Sequence, residues 1–424
     1  MTEVIMIFLL IYALTLLLSA TETIPISVAA LVGALLTAWF GLSYNVFTYG
    51  DAVDFIDMKL IALIVGTMVV VEVAARSGLF RFLALYAIKA AGGNPRRLFF
   101  TLNIVAAVIS LFLSDTTALL LMAAAITTIA KLLEYDPAPY FISAAVMINL
   151  GGTSTLIGSS SNMIIGIEAG LSFSDFISYL TLCEIALWAL TMLALYALFK
   201  SRLGEKKELP KYDPWEGVEN RKLVYRSALI LVLLLGLFTV FDRLGVGVEA
   251  VALGCAVLAL AFSGYDPAEI FKRIDWETVF FIAGFFFIVK GLESTGLFES
   301  LSTQLLRLAG NSSFNAVMLT VWVSGIMSMV ISNMAVALTF TPIIRGITGS
   351  FAPAALWSAL ILGTNLGGVT TPFSGTVTVM AMGALKREGV KMSFKDFTKA
   401  GAVTSFIQLG FASLYLILRF GLGV

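Results

Sequence analysis

The stretch Asn149-Leu150-Gly151-Gly152-Thr153-Ser154 interrupts a long apolar run, and its first four residues return as Asn365-Leu366-Gly367-Gly368. Glycines and hydroxyls at the centre of a bilayer-length segment predict an opened backbone, because peptide groups inside a membrane must be satisfied by something. Working outward, the repetition continues. Ser77-Gly78-Leu79-Phe80 returns as Thr295-Gly296-Leu297-Phe298, and Ser114-Asp115 as Ser332-Asn333. Ser172-Phe173-x-Asp175-Phe176 returns as Ser393-Phe394-x-Asp396-Phe397. In chain order the offsets are 218, 218, 216 and 221 residues, an internal duplication with small insertions or deletions. Polar motifs duplicated inside hydrophobic segments point to a secondary transporter.

Composition agrees. Of 424 residues, 59% are hydrophobic and 13% charged, and the mean hydropathy is +0.96. A soluble domain carries about 25% charged residues. The chain therefore belongs in a lipid bilayer, and a net charge of zero argues against a nucleic-acid partner. Histidine is absent, which removes imidazole metal sites, Ser/His dyads and the HExxH motif. Cys183 and Cys255 both lie in apolar segments, against a disulfide framework. Met1 to Ala20 lacks a basic n-region and reads as a first span rather than a cleaved signal. No nucleophile–base pair, metal triad or aspartate-rich diphosphate motif suggests an enzyme.

A crossing helix needs roughly 20 apolar residues. Spans are expected near Val4–Ala20, Ile24–Phe40, Leu60–Ala75, Tyr140–Ala169 (interrupted) and Phe176–Phe199. The second set is Ser227–Phe241, Val248–Phe262, Trp276–Val289, Ala354–Leu385 (interrupted) and Phe397–Phe420. Gly78–Ala91 and Leu297–Leu308 are short and amphipathic, suited to lying in the interface. Leu98–Lys131 and Phe314–Ile344 are broken in the middle by Ser114-Asp115-Thr116-Thr117 and Ser332-Asn333. Each reads as a re-entrant hairpin with a polar tip, the alternative being two spans joined by a short loop. Five spans is odd, so the two repeats face opposite ways. The expected fold is an all-α polytopic membrane protein of two inverted five-span repeats, each with a re-entrant hairpin and a broken transmembrane helix. Residues 1–199 form the first repeat, 200–226 a linker and 227–424 the second. With the linker cytoplasmic and both termini outside, 21 of 27 Lys and Arg residues fall on the cytoplasmic side. The six outside are Lys59, Arg243, Lys290, Arg307, Arg345 and Arg419.

Two hairpin tips and two broken helices related by the pseudo-twofold would meet near the midplane. There, free carbonyls and helix ends can hold ions. The candidate substrate or ion site is Ser114, Asp115, Thr116, Thr117, Asn149, Gly151, Gly152, Thr153 and Ser154. From the second repeat it takes Ser332, Asn333, Asn365, Gly367, Gly368, Thr370 and Thr371. Close helix packing through small residues is the competing explanation of the glycines. Asp115 is the foremost charged candidate, able to hold Na⁺ or carry H⁺, with Asn333 as its uncharged mate and a further oxygen ligand. No other cofactor is expected. Glu72 and Lys290 occupy matched positions toward span ends, for snorkelling, pairing or function. Glu184 reads as interfacial and Glu168 as near a boundary.

These motifs resemble an ion transporter superfamily with a citrate-transporter-like domain. It joins arsenite-pump membrane subunits, P-protein and bacterial Na⁺/H⁺ antiporters, and divalent anion/Na⁺ symporters. Ser332-Asn333-Met334 resembles the Ser-Asn-Thr hairpin signature of the symporters, and Ser114-Asp115-Thr116 the same with Asp for Asn. Asn149-Leu-Gly-Gly-Thr153 with Thr155-Leu-Ile-Gly158 resembles the broken helix of the P-protein and arsenite-pump branches. Gly363-Thr-Asn-Leu-Gly-Gly368 with Thr371-Pro372 is closer to the arsenite-pump branch. Ser159-Ser160-Ser161 stands where a double proline is usual before the asparagine matching Asn162, and neither motif contains Arg or Lys. The resemblance implies a fixed scaffold and a shifting unit of hairpins and broken helices. It implies export of a metalloid oxyacid or carriage of an inorganic or carboxylate anion, coupled to H⁺ or Na⁺. An antiporter and a passive channel are the alternatives. A homodimer and, for a pump-like member, an associated ATPase are the protein partners it allows.

Overall fold

The computed structural model describes residues 2–21, 24–208, 213–242, 244–310, 312–370 and 393–422. No strand occurs among them. The first half runs α1 (Thr2–Thr21), α2 (Ile26–Ser43), α3 (Tyr49–Val53), α4 (Met58–Arg76), α5 (Leu79–Ala91), α6 (Pro95–Ser110), α7 (Asp115–Leu133), α8 (Pro137–Thr153), α9 (Ser160–Ala169) and α10 (Phe173–Phe199). The second runs α11 (Arg221–Asp242), α12 (Val248–Ser263), α13 (Pro267–Phe271), α14 (Trp276–Glu293), α15 (Leu297–Ala309), α16 (Ser313–Ser328), α17 (Asn333–Ile347), α18 (Pro353–Gly367) and α19 (Phe394–Phe420). Six helical stretches among the described residues are long and apolar enough to cross a membrane, or seven if the bent pair α14–α15 is one span. The fold is all-α and polytopic.

The two series run in register. Helices α4, α5, α6 and α7 begin 218 residues before α14, α15, α16 and α17. The same local chemistry starts and stops each pair. Asp57 accepts backbone N–H bonds at the start of α4, and Asp275 does so for α14. Ser172 and Ser393 cap α10 and α19 in the same way. Gly78 and Gly296 precede α5 and α15 at φ +85° and +78°, and Gly92 and Gly310 follow them at +58° and +60°. Left-handed glycines turn the chain sharply at little cost, so α15 leaves α14 at 75°. That angle suits an arm lying along the membrane surface. The short helices α3 and α13 sit in segments that read as loops in the sequence.

The halves exchange their first two helices. Helix α2 packs on α1 and on α14 of the other half, and α12 packs on α11 and on α4. Matched glycines allow these crossings. A methyl group on Gly66 would lie 2.9 Å from the carbonyl carbon of Ala252, and one on Gly284 2.8 Å from that of Ala30. Backbones meet there through small residues, the usual solution where lipid removes the hydrophobic drive between helices. Across the pseudo-twofold, α8 meets α18 and α10 meets α19. The Gln408 amide donates to Thr191 Oγ1 at 3.0 Å in the latter contact.

Candidate functional site

Each hairpin tip rests on a helix break. Helix α6 ends at Ser110, and Ser114 caps α7 with Asp115 as its first residue. Ser110 Oγ donates to Asp115 Oδ1 at 3.4 Å. In the second half Ser328 Oγ lies 2.6 Å from Asn333 Oδ1 and 2.5 Å from the Thr364 carbonyl oxygen. Gly152 sits against Asp115 and Gly368 against Asn333. A methyl group on Gly152 would come 3.2 Å from Asp115 Oδ1, and one on Gly368 would overlap the Asn333 amide. Gly151 and Gly367 instead let α8 and α18 cross the backbones of α6 and α16 at Ala107 and Gly325. For that pair, close packing is the observed use of the glycine.

The first break spans residues 154–159, between α8 and α9. Its freed carbonyls are gathered by one side chain. Asn162 Nδ2 donates to the carbonyl oxygens of Gly152, Thr153 and Thr155 at 3.1, 3.2 and 2.7 Å. Asn365 Nδ2 donates to Asn162 Oδ1 at 2.8 Å, Ser161 Oγ to Asn365 Oδ1 at 2.9 Å, and Asn149 Nδ2 to the Asn365 carbonyl at 2.9 Å. The asparagines thus bond the two breaks to each other. In the second half α18 ends at Gly367, and Thr370 Oγ1 bonds the Gly367 carbonyl and Ser405 Oγ, both at 2.9 Å. Thr371 and Pro372 lie outside the described residues.

Both tips and both breaks line one cavity of about 300 Å³. Of the sequence candidates, Ser114, Asp115, Thr116, Asn149, Ser332, Asn333 and Gly368 reach it. Gly151, Gly152, Thr153, Ser154, Asn365, Gly367 and Thr370 do not line it. Thr117 lines an adjoining cavity of about 70 Å³ that shares Ser114, Gly158, Ser160 and Asp275. Sequence reading missed Asp275, Glu277 and Thr278, at the start of α14, and the wall formed by Gly158, Ser159 and Ser160. The acidic pair opening a span at Asp275 and Glu277 was the available signal. The charged side chains lining the cavity among the described residues are Asp115, Asp275 and Glu277, all acidic. Arg273 lines the smaller cavity, its Nε 3.9 Å from Glu72 Oε1. No group of three metal-ligating His, Cys, Asp or Glu side chains occurs among the described residues.

The cavity extends to the start of α14, at one side of the molecule. Asp275 and Glu277 border it, whereas Asp57 and Lys59, 218 residues earlier, do not. This is the side of the linker: Trp215 stacks 4.0 Å from Phe82 of α5, and the Tyr265 hydroxyl donates to the Arg76 carbonyl at 3.1 Å. At the far end of α14, about 27 Å along its axis, Lys290 pairs with Glu293 at 3.0 Å and Glu293 with Arg345 at 3.2 Å. Arg345 also pairs with Glu168 of α9. Glu168 and Lys290, read from sequence as near a boundary or snorkelling, therefore belong to one ion-pair network. Glu184 departs furthest from its expected interfacial place. It is 1% exposed, and its Oε2 lies 3.4 Å from Ser154 Oγ. Helix α10 begins at Phe173, three residues before the expected span, and α8 and α19 cover it.

Comparison with known proteins places this arrangement. A family model described as "Citrate transporter" matches residues 16–363 and, in a second match, 250–424. An uncharacterised transporter of Mycobacterium tuberculosis is 30% identical over 376 residues, covering 86% of this chain and 87% of that protein. The P protein of Mus musculus is 24% identical over 452 residues, covering 86% of this chain and 54% of that protein. Among solved structures, the Alcanivorax borkumensis YdaH transporter has a TM-score of 0.65 at 16% identity, covering 91% of this chain and 89% of that one. That likeness concerns the fold.

Proposed function

The chain belongs to the citrate transporter family, and from that premise we propose that it is a secondary active carrier of a small oxygen-rich solute, coupled to H⁺ or Na⁺ at Asp115. The observation that carries this reading is the single cavity bounded by both hairpin tips and both helix breaks, its lining charges all acidic. A free polycarboxylate would meet three carboxylates and no cation among the described lining residues, and like charges held close repel strongly. The solute therefore enters either as an undissociated oxyacid, such as a metalloid acid, or as a carboxylate accompanied by its own cation. Hydroxyls of Ser114, Thr116, Ser159 and Ser332 and the amides of Asn149 and Asn333 supply donors and acceptors to either. Asp115 holds the coupling ion with Ser110 behind it. In this reading the cavity opens to the linker side, taken as cytoplasmic because that side carries most of the Lys and Arg residues. Hairpins and broken helices move as a unit to expose it on the other side.

Purified protein in sealed liposomes tests this, with arsenite, sulfate, citrate and succinate offered under separate Na⁺ and H⁺ gradients. Citrate is offered with and without a divalent cation. Concentrative uptake of one solute under one gradient, lost in Asp115→Asn, is the expected result. Cation exchange with no solute moved makes the protein an antiporter. Downhill flux alone makes it a channel.

A further inference from the structure

Glu184 is a buried carboxyl group on α10, and its mate across the pseudo-twofold is Ser405. The polar contact between Ser154 and Glu184 corresponds in the second half to that between Thr370 and Ser405. One half of the molecule therefore carries an ionisable group where the other carries a hydroxyl, each bonded to the same point of its helix break.

The hydrogen bonds around Ser154 assign a proton. The Trp188 indole Nε1 donates to Ser154 Oγ at 3.0 Å. Ser154 Oγ lies 3.2 Å from the Leu150 carbonyl oxygen and 3.4 Å from Glu184 Oε2, and its one hydrogen can serve only one of them. If Glu184 is ionised, either the carbonyl or the carboxylate goes without a donor. If Glu184 is the neutral acid, it donates to Ser154 Oγ, Ser154 donates to Leu150, and Trp188 fills the remaining lone pair. Glu184 Oε1 is buried with no partner, tolerable for the carbonyl oxygen of an acid and costly for a carboxylate. No compensating charge is paired with it among the described residues. Among the described residues, its hydrogen-bond partner is Ser154, just past the end of α8. From α19, Tyr415 lies near the neighbouring Cys183, and Gln408 meets Thr191 two turns along α10. No charged side chain of α6, α8, α11, α18 or α19 acts on it among the described residues.

We infer that Glu184 is a proton-binding site that sets the conformation of the first helix break through Ser154. It rests on the reading of the protein as a carrier only for its consequence, since protonation itself needs no substrate. With the proton bound, Ser154 closes the last turn of α8. When the proton leaves, the Ser154 hydroxyl turns from Leu150 to the carboxylate and that turn loosens. The other end of the same break, Gly158 to Ser160, lines the cavity, so proton and solute are linked and each alters the other's affinity by the same factor. Glu184 is a positioning residue, since it does not reach the cavity.

Infrared difference spectroscopy of the full chain in liposomes, stepped through pH, tests the site. The expected result is a carboxylic-acid C=O band that disappears on alkalisation, is absent in Glu184→Gln and shifts in Ser154→Ala. Trp188 emission should titrate with that band, identified by its loss in Trp188→Phe. Uptake of whichever solute the liposome assay finds should change about tenfold across this titration in the parent and stay nearly flat in Glu184→Gln. An acid band unchanged in Glu184→Gln overturns the proton site. If that variant does not fold, a band in Ser154→Ala unshifted from the parent overturns it instead. A band that behaves as expected with an unaltered uptake profile overturns the coupling. An expected band in a protein that moves no solute leaves the proton site standing and refutes the carrier reading.

Discussion

Asn162 shows how one residue can hold open a helix that would otherwise need water. Its amide collects the carbonyls of Gly152, Thr153 and Thr155 while its oxygen accepts from Asn365. Asn162→Ala would take this donor from the Gly152 and Thr153 carbonyls and leave the Thr155 carbonyl with the Gly158 N–H alone, at about 1–3 kcal/mol for each group orphaned. A marked fall in the thermal unfolding temperature in detergent is expected, with Asn162→Asp falling at least as far, because a carboxylate oxygen would face the same carbonyl oxygens with no hydrogen to give. Asp115 was legible because an acid at the centre of an apolar stretch is rare. Glu184 was not, because the boundary of its span was read from hydropathy, which does not reveal which neighbour covers a helix end. Acids at a helix start, as at Asp275 and Glu277, are common in any chain, and only the tertiary arrangement brings these two to the cavity.

At the scale of elements, the arms α5 and α15 are specified by punctuation more than by their apolar face. Left-handed glycines stand before and after each arm, and the duplicated Ser77-Gly78 and Thr295-Gly296 motifs announced the first of them. Gly296→Val forces a branched side chain into that conformation, at about 1–2 kcal/mol. Its neighbourhood is open, with nothing within 4 Å of the added Cβ, so strain rather than a clash would be measured. Gly236→Ala and Gly254→Ala meet equally open space on regular helices, and each should leave stability unchanged or raise it by up to about 1 kcal/mol. Thermal melts of the three variants side by side check the contrast. Helices, hairpins and the first break were readable from periodicity and motif. The exchange of α1–α2 and α11–α12 between halves was not, since a lipid-facing apolar helix carries no mark of its partner.

For the whole molecule, ion pairs lie at the far end of α14 and the cavity at its near end. Arg345 bridges Glu168 of α9 and Glu293 of α14. A shift of hairpins and broken helices past α14 must part Arg345 from Glu293 while leaving it with Glu168. Arg345→Gln should therefore weaken the state with the cavity open to the linker side. Such a half-exposed pair contributes about 1 kcal/mol, roughly a fivefold change in the balance of states. Ser159→Cys, in the cavity wall, reports this by its labelling rate with a membrane-impermeant thiol reagent applied from each side. Both native cysteines are buried, so background is low. Labelling from the linker side should fall and labelling from the other side rise; no change in either rate would mean the ion pairs do not hold this state.

The exchanged helices also bear on assembly. A lone half-length chain would leave the face of α4 that now receives α12 bare, and α2 without its seat on α14. A half-length polypeptide with this packing would need a second, oppositely inserted copy to cover α4 and to seat α2. The linker between the halves is then a convenience. Severed there and co-expressed as two polypeptides, the halves should still find each other and assemble.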